Sequence, residues 1–120
     1  MLAMLLDVAS GEVGMRSEFF GAPALVSSAP ARIALRTGAW VMPSVVVRGP
    51  GDDLAIHPII DTELRDWRPS GDEARDIGDL TRQIMQSLER TIRAYPDQWF
   101  IFRRMWQRAT APMLAGAERA

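Results

Sequence analysis

Ile77, Leu80, Ile84, Leu88 and Ile92 recur at steps of three and four residues, the spacing that gathers side chains on one stripe of an α-helix. This predicts a helix from about residue 77 to Tyr95, stopped by Pro96, which has no amide hydrogen to continue it. Earlier, residues 40–48 are rich in β-branched side chains (Val41, Val45, Val46, Val47) and read as a buried strand, with Pro43 marking an edge or a bulge. Gly49-Pro50-Gly51-Asp52-Asp53 is a dense turn signal, and residues 54–60 return as a second strand, so the two segments are expected to pair as an antiparallel hairpin. Ser27, Ser28 and Pro30 begin a helix over residues 31–37 that Gly38 ends.

The flanks are less regular. Residues 2–6 are an unbroken apolar run of the kind found in parallel strands covered on both faces. A protein seldom opens inside such a strand, which suggests that Met1 is an internal methionine or that the coding region is truncated at its start. Asp7 falls where this strand gives way to a loop over residues 7–20 that includes Gly11 and Gly14, and residues 61–76 form a second polar loop. After Pro96, the cluster Trp99, Phe100, Ile101, Phe102, Met105 and Trp106 carries Arg103 and Arg104. Residues 109–120, rich in alanine, are expected to form a flexible tail.

Composition narrows the function classes. With 120 residues, 48% of them apolar and 24% charged, the chain suits one globular core. A net charge of −1 argues against nucleic acid as a partner, since gripping a phosphate backbone requires many uncompensated cations. Every one of the 14 basic residues is arginine, the side chain that forks onto phosphate and carboxylate. The absence of cysteine excludes disulfides, thiolate metal sites and a cysteine nucleophile. The opening apolar run ends at Asp7, far short of the about 20 residues a membrane span needs.

Three blocks together resemble the second half of the bacterial lysophospholipid acyltransferase-like family, which includes the lipid A late acyltransferases and the phosphatidylinositol mannoside acyltransferase of mycobacteria. They are Leu5-Leu6-Asp7 with Phe19-Phe20-Gly21-Ala22-Pro23, then Ala31-Arg32-Ile33-Ala34-Leu35-Arg36-Thr37-Gly38-Ala39 through Pro43, and finally Tyr95-Pro96-Asp97-Gln98-Trp99 with Arg103-Arg104-Met105-Trp106. The resemblance covers residues 1–108. It implies an α/β fold, a mixed sheet flanked by helices, of which this chain supplies the C-terminal half of a glycerolipid-acyltransferase-like domain. It also implies an O-acyltransferase acting at the cytoplasmic face of the bacterial plasma membrane. The fatty acyl group would pass from an acyl carrier protein or coenzyme A thioester to a hydroxyl of a glycolipid or lysolipid, with no cofactor.

The family's catalytic pair is a histidine followed, after four intervening residues, by an acid: the imidazole acts as general base and the carboxylate holds its tautomer. His57 is the sole histidine here, and the fifth residue after it is Thr62. The motif is missing, and no residue of this chain is assigned as catalytic. The resemblance implies that Asp7 borders the acceptor or catalytic site; a loop-capping carboxylate is the alternative reading. Phe19, Phe20 and Gly21 either line the acyl groove or pack a core. Pro43 either shapes the site wall or ends a sheet edge, and Arg16 either holds a phosphate or is an ordinary surface arginine. Trp99, Arg103, Arg104 and Trp106 either meet the membrane interface, where indole and guanidinium favour the headgroup layer, or stack in a core. The competing function is a non-catalytic module that binds lipid or acyl carrier protein.

Overall fold

A computed structural model describes residues 1–5, 14–51, 55–100 and 106. Its elements follow the chain as β1 (Met15–Phe19), β2 (Ala22–Val26), α1 (Ala29–Thr37), β3 (Ser44–Arg48), β4 (Ile56–Ile60) and α2 (Glu73–Ala94), with 3-10 turns at Glu63–Asp66 and Pro96–Gln98. Sheet and helix combine as the α/β expectation holds. The strands lie in two separate hairpins, β1 with β2 and β3 with β4. Both pairings are antiparallel, because a short connection can only reverse the chain, whereas parallel neighbours need a crossover of a dozen residues or more.

The first hairpin corrects the loop expected over residues 7–20. Met15, Ser17 and Phe19 are buried and alternate with Arg16 and Glu18, the period-2 pattern of a half-buried strand. The reversal is made by Phe20 and Gly21, at φ 52° and 74°, the positive-φ pair that a two-residue type I′ turn requires. Residues 6–13, with Asp7, lie outside the described residues. Residues 2–5 were expected in a buried strand; they form none and are exposed. Among the described residues no strand pairs with them, and an unpaired strand leaves its amides and carbonyls without partners.

The amphipathic helix is present and starts earlier than its apolar stripe. Asp72 caps it by accepting the Arg75 amide at 3.2 Å, and Glu73 and Asp76 place negative charge in a first turn whose free amides favour it. One face of α2 packs against β1 and α1, and Phe19, Leu80 and Met85 are the largest fully buried apolar side chains. Ala24 of β2 and Ala31 and Ala34 of α1 are buried in the same core. The expected polar loop before α2 contains a turn whose Leu64 joins the core.

The second hairpin pairs as expected, with shorter strands, but the first of them is not the buried strand expected over residues 40–48. Trp40, Met42, Ser44, Val46 and Arg48 are exposed and Val47 is its one buried residue, because only one face of the hairpin is covered among the described residues. Gly49 and Asp61 donate to the carbonyls of Ala55 and Pro43 at 2.9 and 2.8 Å. Those two bonded pairs fix the alternation of the ladder, so that Val46 and Pro58, which face each other, fall at a non-bonded position. Pro58 therefore turns its substituted nitrogen to the free edge of β4 and removes no ladder bond. Val47 is buried within this hairpin yet lies outside the main core cluster.

Candidate functional site

Residues that the sequence separates by some eighty positions meet in one aromatic cluster. The Phe19 ring stacks on Trp106 with centroids 5.6 Å apart and 10° between planes, and meets Trp99 edge-on at 5.8 Å. Phe20 meets Phe19 at 4.7 Å and Trp99 at 6.3 Å. The Trp106 indole donates to the Phe19 carbonyl at 2.8 Å, and Trp106 forms an isolated antiparallel bridge with Ala24 of β2. Phe19 is fully buried, while Phe20, Trp99 and Trp106 pack against the core half-buried. The Trp99 indole nitrogen is buried with no partner among the described residues.

Two residues of α2 hold the turn that presents this cluster. Glu89 accepts the Phe20 amide hydrogen, and Arg93 places its guanidinium 4.9 Å from the centroid of the Phe20 ring. Glu89 and Arg93 are themselves 3.9 Å apart. A phenylalanine at positive φ is unusual outside such support. Neither α2 residue was singled out in the sequence, because their partner lies about seventy positions away.

A family model described as bacterial lipid A biosynthesis acyltransferase matches residues 1–108. The chain belongs to this family. It is also 28% identical over 94 residues to the phosphatidylinositol mannoside acyltransferase of Mycobacterium tuberculosis, in strain CDC 1551 / Oshkosh and in strain ATCC 25618 / H37Rv alike. The alignment takes in 78% of this chain and 27% of that protein. The chain thus spans about a quarter of the length of the curated relatives it matches.

Two of the three blocks that carry the family resemblance, Phe19 to Pro23 and Tyr95 to Trp106, converge on the aromatic cluster. The third block forms α1, which packs on α2, and ends at Pro43, whose carbonyl closes the second hairpin by accepting the Asp61 amide. Gly21 is required for its φ of 74° rather than for close approach, since a Cβ there would meet nothing within 4 Å. Arg16 is half-buried on β1, opposite Leu25. Asp7, Arg103 and Arg104 lie outside the described residues. The cluster offers apolar surface and the Trp99 indole donor, and among the described residues it contains no histidine.

A second, polar constellation lies between β4 and α2. Ile59, Asp61, Glu63, Ser87, Arg90, Thr91, Ala94 and Tyr95 line an open cleft of about 330 Å³. Arg90 bridges Asp61 and Glu63 at 2.7 and 2.8 Å. Asp61 also accepts from the Ser87 hydroxyl and, at 2.9 Å, from the Glu63 amide. Burial raises the Asp61 pKa, but the bonds from Ser87, the Glu63 amide and Arg90 outweigh it and hold the carboxyl below its ordinary value. The result is an ionised carboxylate saturated with donors, a poor proton acceptor. His57 is exposed on β4, with its ring against Gly49, and no described carboxylate is bonded to it. Among the described residues no three metal-ligating side chains converge, and no helix is long and apolar enough to cross a membrane.

Proposed function

We propose that this chain supplies the carboxy-terminal part of an O-acyltransferase of membrane lipid synthesis. Such an enzyme moves a fatty acyl group from an acyl carrier protein or coenzyme A thioester to a hydroxyl of a glycolipid or lysolipid at the cytoplasmic face of the plasma membrane. The observation that carries this reading is the family match over residues 1–108; the name of the mycobacterial relative supports a phosphatidylinositol mannoside as one acceptor. In this reading the aromatic cluster is apolar wall and scaffold. The histidine and acid that remove the acceptor's proton belong to residues other than these 120, because His57 is followed by Thr62 at the place where the acid is needed. The chain alone then lacks general base help, worth roughly 10²- to 10⁴-fold, and turns over no measurable acceptor.

Lipid analysis by mass spectrometry of the source bacterium with and without the coding locus tests the proposal. Loss of one acyl chain from a glycolipid, with accumulation of the form lacking it and rescue by the restored locus, is the expected result. An unchanged lipid profile removes the reading. The saturated Asp61 and the isolated His57 favour one second reading of the chain by itself: a non-catalytic module that binds lipid or acyl carrier protein.

A further inference from the structure

Beside its apolar stripe, α2 carries a polar one. Asp76, Asp79, Gln83, Ser87 and Arg90 follow one another at steps of three and four residues, so they line one side of the helix along its length. Asp76 accepts the Ser70 amide at 2.9 Å, the Ser70 hydroxyl at 2.7 Å and the Gly71 amide at 3.2 Å. Asp79 accepts the Trp67 indole hydrogen at 2.9 Å and is steadied by Gln83 at 2.8 Å. Ser87 donates to Asp61, and Arg90 reaches Asp61 and Glu63 at 2.7 and 2.8 Å. Residues 61–72 therefore run antiparallel to α2, pinned to this stripe at both ends and in the middle.

Side chains make nearly all of these ties. Among the described residues, the amide-to-carbonyl bonds of the segment after Asp61 are local, Arg65 to Thr62 and Trp67 to Leu64. Leu64 is its one buried residue, and Trp67 packs half-buried against the core. A short 3-10 turn anchored by one apolar side chain and a row of side-chain bonds belongs to the low-stability end of a fold, where segments open without global unfolding. At the α2 end, Gly71 sits at φ 98°, a backbone freedom that suits a hinge.

Opening would alter the polar cleft. Asp61 and Glu63 are the segment's share of its lining, and Ser87 and Arg90 are among α2's. With the segment in place, Arg90 is neutralised by both carboxylates and the Ser87 hydroxyl is spent on Asp61. Lifting it withdraws the two carboxylates together and leaves the cleft with an unpaired cation and a free hydroxyl.

We propose that residues 61–72 form a strap that lifts from the polar stripe of α2 as one unit while the core stays folded, opening the cleft beside Arg90. Acyl transfer plays no part in this motion or in its test.

Hydrogen exchange of the folded chain, followed by NMR in increasing sub-denaturing urea, reads the opening at the Ser70 and Gly71 amides and at the Trp67 indole. Corrected for intrinsic rates, these three should share one opening equilibrium, at least about tenfold more populated than that of the Leu80 and Ile84 amides. Their urea dependence should be small, because little surface is exposed. Ser87→Ala removes a pin at the far end of the strap. One net hydrogen bond corresponds to about fivefold in the opening equilibrium, so all three reporters should exchange about fivefold faster. Arg90→Gln, at an exposed position, should accelerate them together as well. Ser70 and Gly71 unmoved by both variants would overturn the proposal, since the pins would then open independently. Reporters matching Leu80 and Ile84 in rate and urea slope would also overturn it, since the strap would then open only with the core.

Discussion

Gly21→Ala isolates the backbone cost of the first hairpin turn from its packing. Gly21 sits at φ 74°, and a Cβ built there meets nothing within 4 Å. The substitution therefore adds no clash and removes no contact; its whole cost is that of placing an L-residue in the left-handed region, about 1 to 2 kcal/mol. In equilibrium terms the folded-to-unfolded ratio should fall roughly five- to thirtyfold, without a change in the denaturant slope that reports buried area. Urea unfolding followed by tryptophan fluorescence measures this, with Trp99 and Trp106 beside the turn as reporters. Gly14→Ala is the contrast: its Cβ would lie 2.7 Å from the Val26 carbonyl oxygen, so the hairpin must shift and the loss should be larger. Phe20→Asn is a third arm, since asparagine tolerates positive φ. It should still destabilise, by about 1 to 2 kcal/mol, because it forfeits the Phe19 edge contact at 4.7 Å and the Arg93 contact at 4.9 Å. A Gly21→Ala chain as stable as the parent would refute the turn geometry, and a stabilising Phe20→Asn would refute the account of what supports it.

Thr81 is buried with a hydroxyl that has no partner among the described residues, so Thr81→Val should stabilise by about 1 kcal/mol in thermal unfolding. Trp106→Phe keeps a ring to stack on Phe19 but removes the indole donor to the Phe19 carbonyl, a loss of about 1 kcal/mol in the same assay. Three carboxyls sit below their ordinary value: Asp76 through the Ser70 amide and hydroxyl, Asp61 through bonds that overcome its burial, and Asp79 chiefly through the Trp67 indole. Depressed folded-state values stabilise above the unfolded value of 3.8, and that stability is lost as pH falls through the lower folded values. Stability should thus hold above 3.8 and decline as pH falls from there through the lower folded values, and Asp79→Asn should flatten the decline in an acid titration by circular dichroism.

The helices were legible because their signals are local. The five-residue stripe from Ile77 to Ile92 announces α2, and Pro30 with Gly38 brackets α1. The second hairpin was legible from Gly49 to Asp53 lying between two apolar runs. The first hairpin was not, since its turn uses Phe20 where asparagine or aspartate is the usual signal, and the pairing of Met15 with Val26 is invisible without it. The aromatic residues of the site were all visible as candidates, but as two unrelated groups. What joins them is the stacking of Phe19 on Trp106 and the reach of Glu89 to the Phe20 amide, contacts set by how α2 lies against β1. The outward face of β3 and β4 read as buried strand because valine and isoleucine occupy both sides, and alternation alone does not say which side is covered.

The most direct measurement is to sequence the DNA adjoining the coding region of this chain and translate it. The account predicts a segment, in frame or in the neighbouring gene, that encodes a histidine followed by aspartate or glutamate at the fifth position. Absence of any such segment from both places would contradict the claim that these residues complete an acyltransferase.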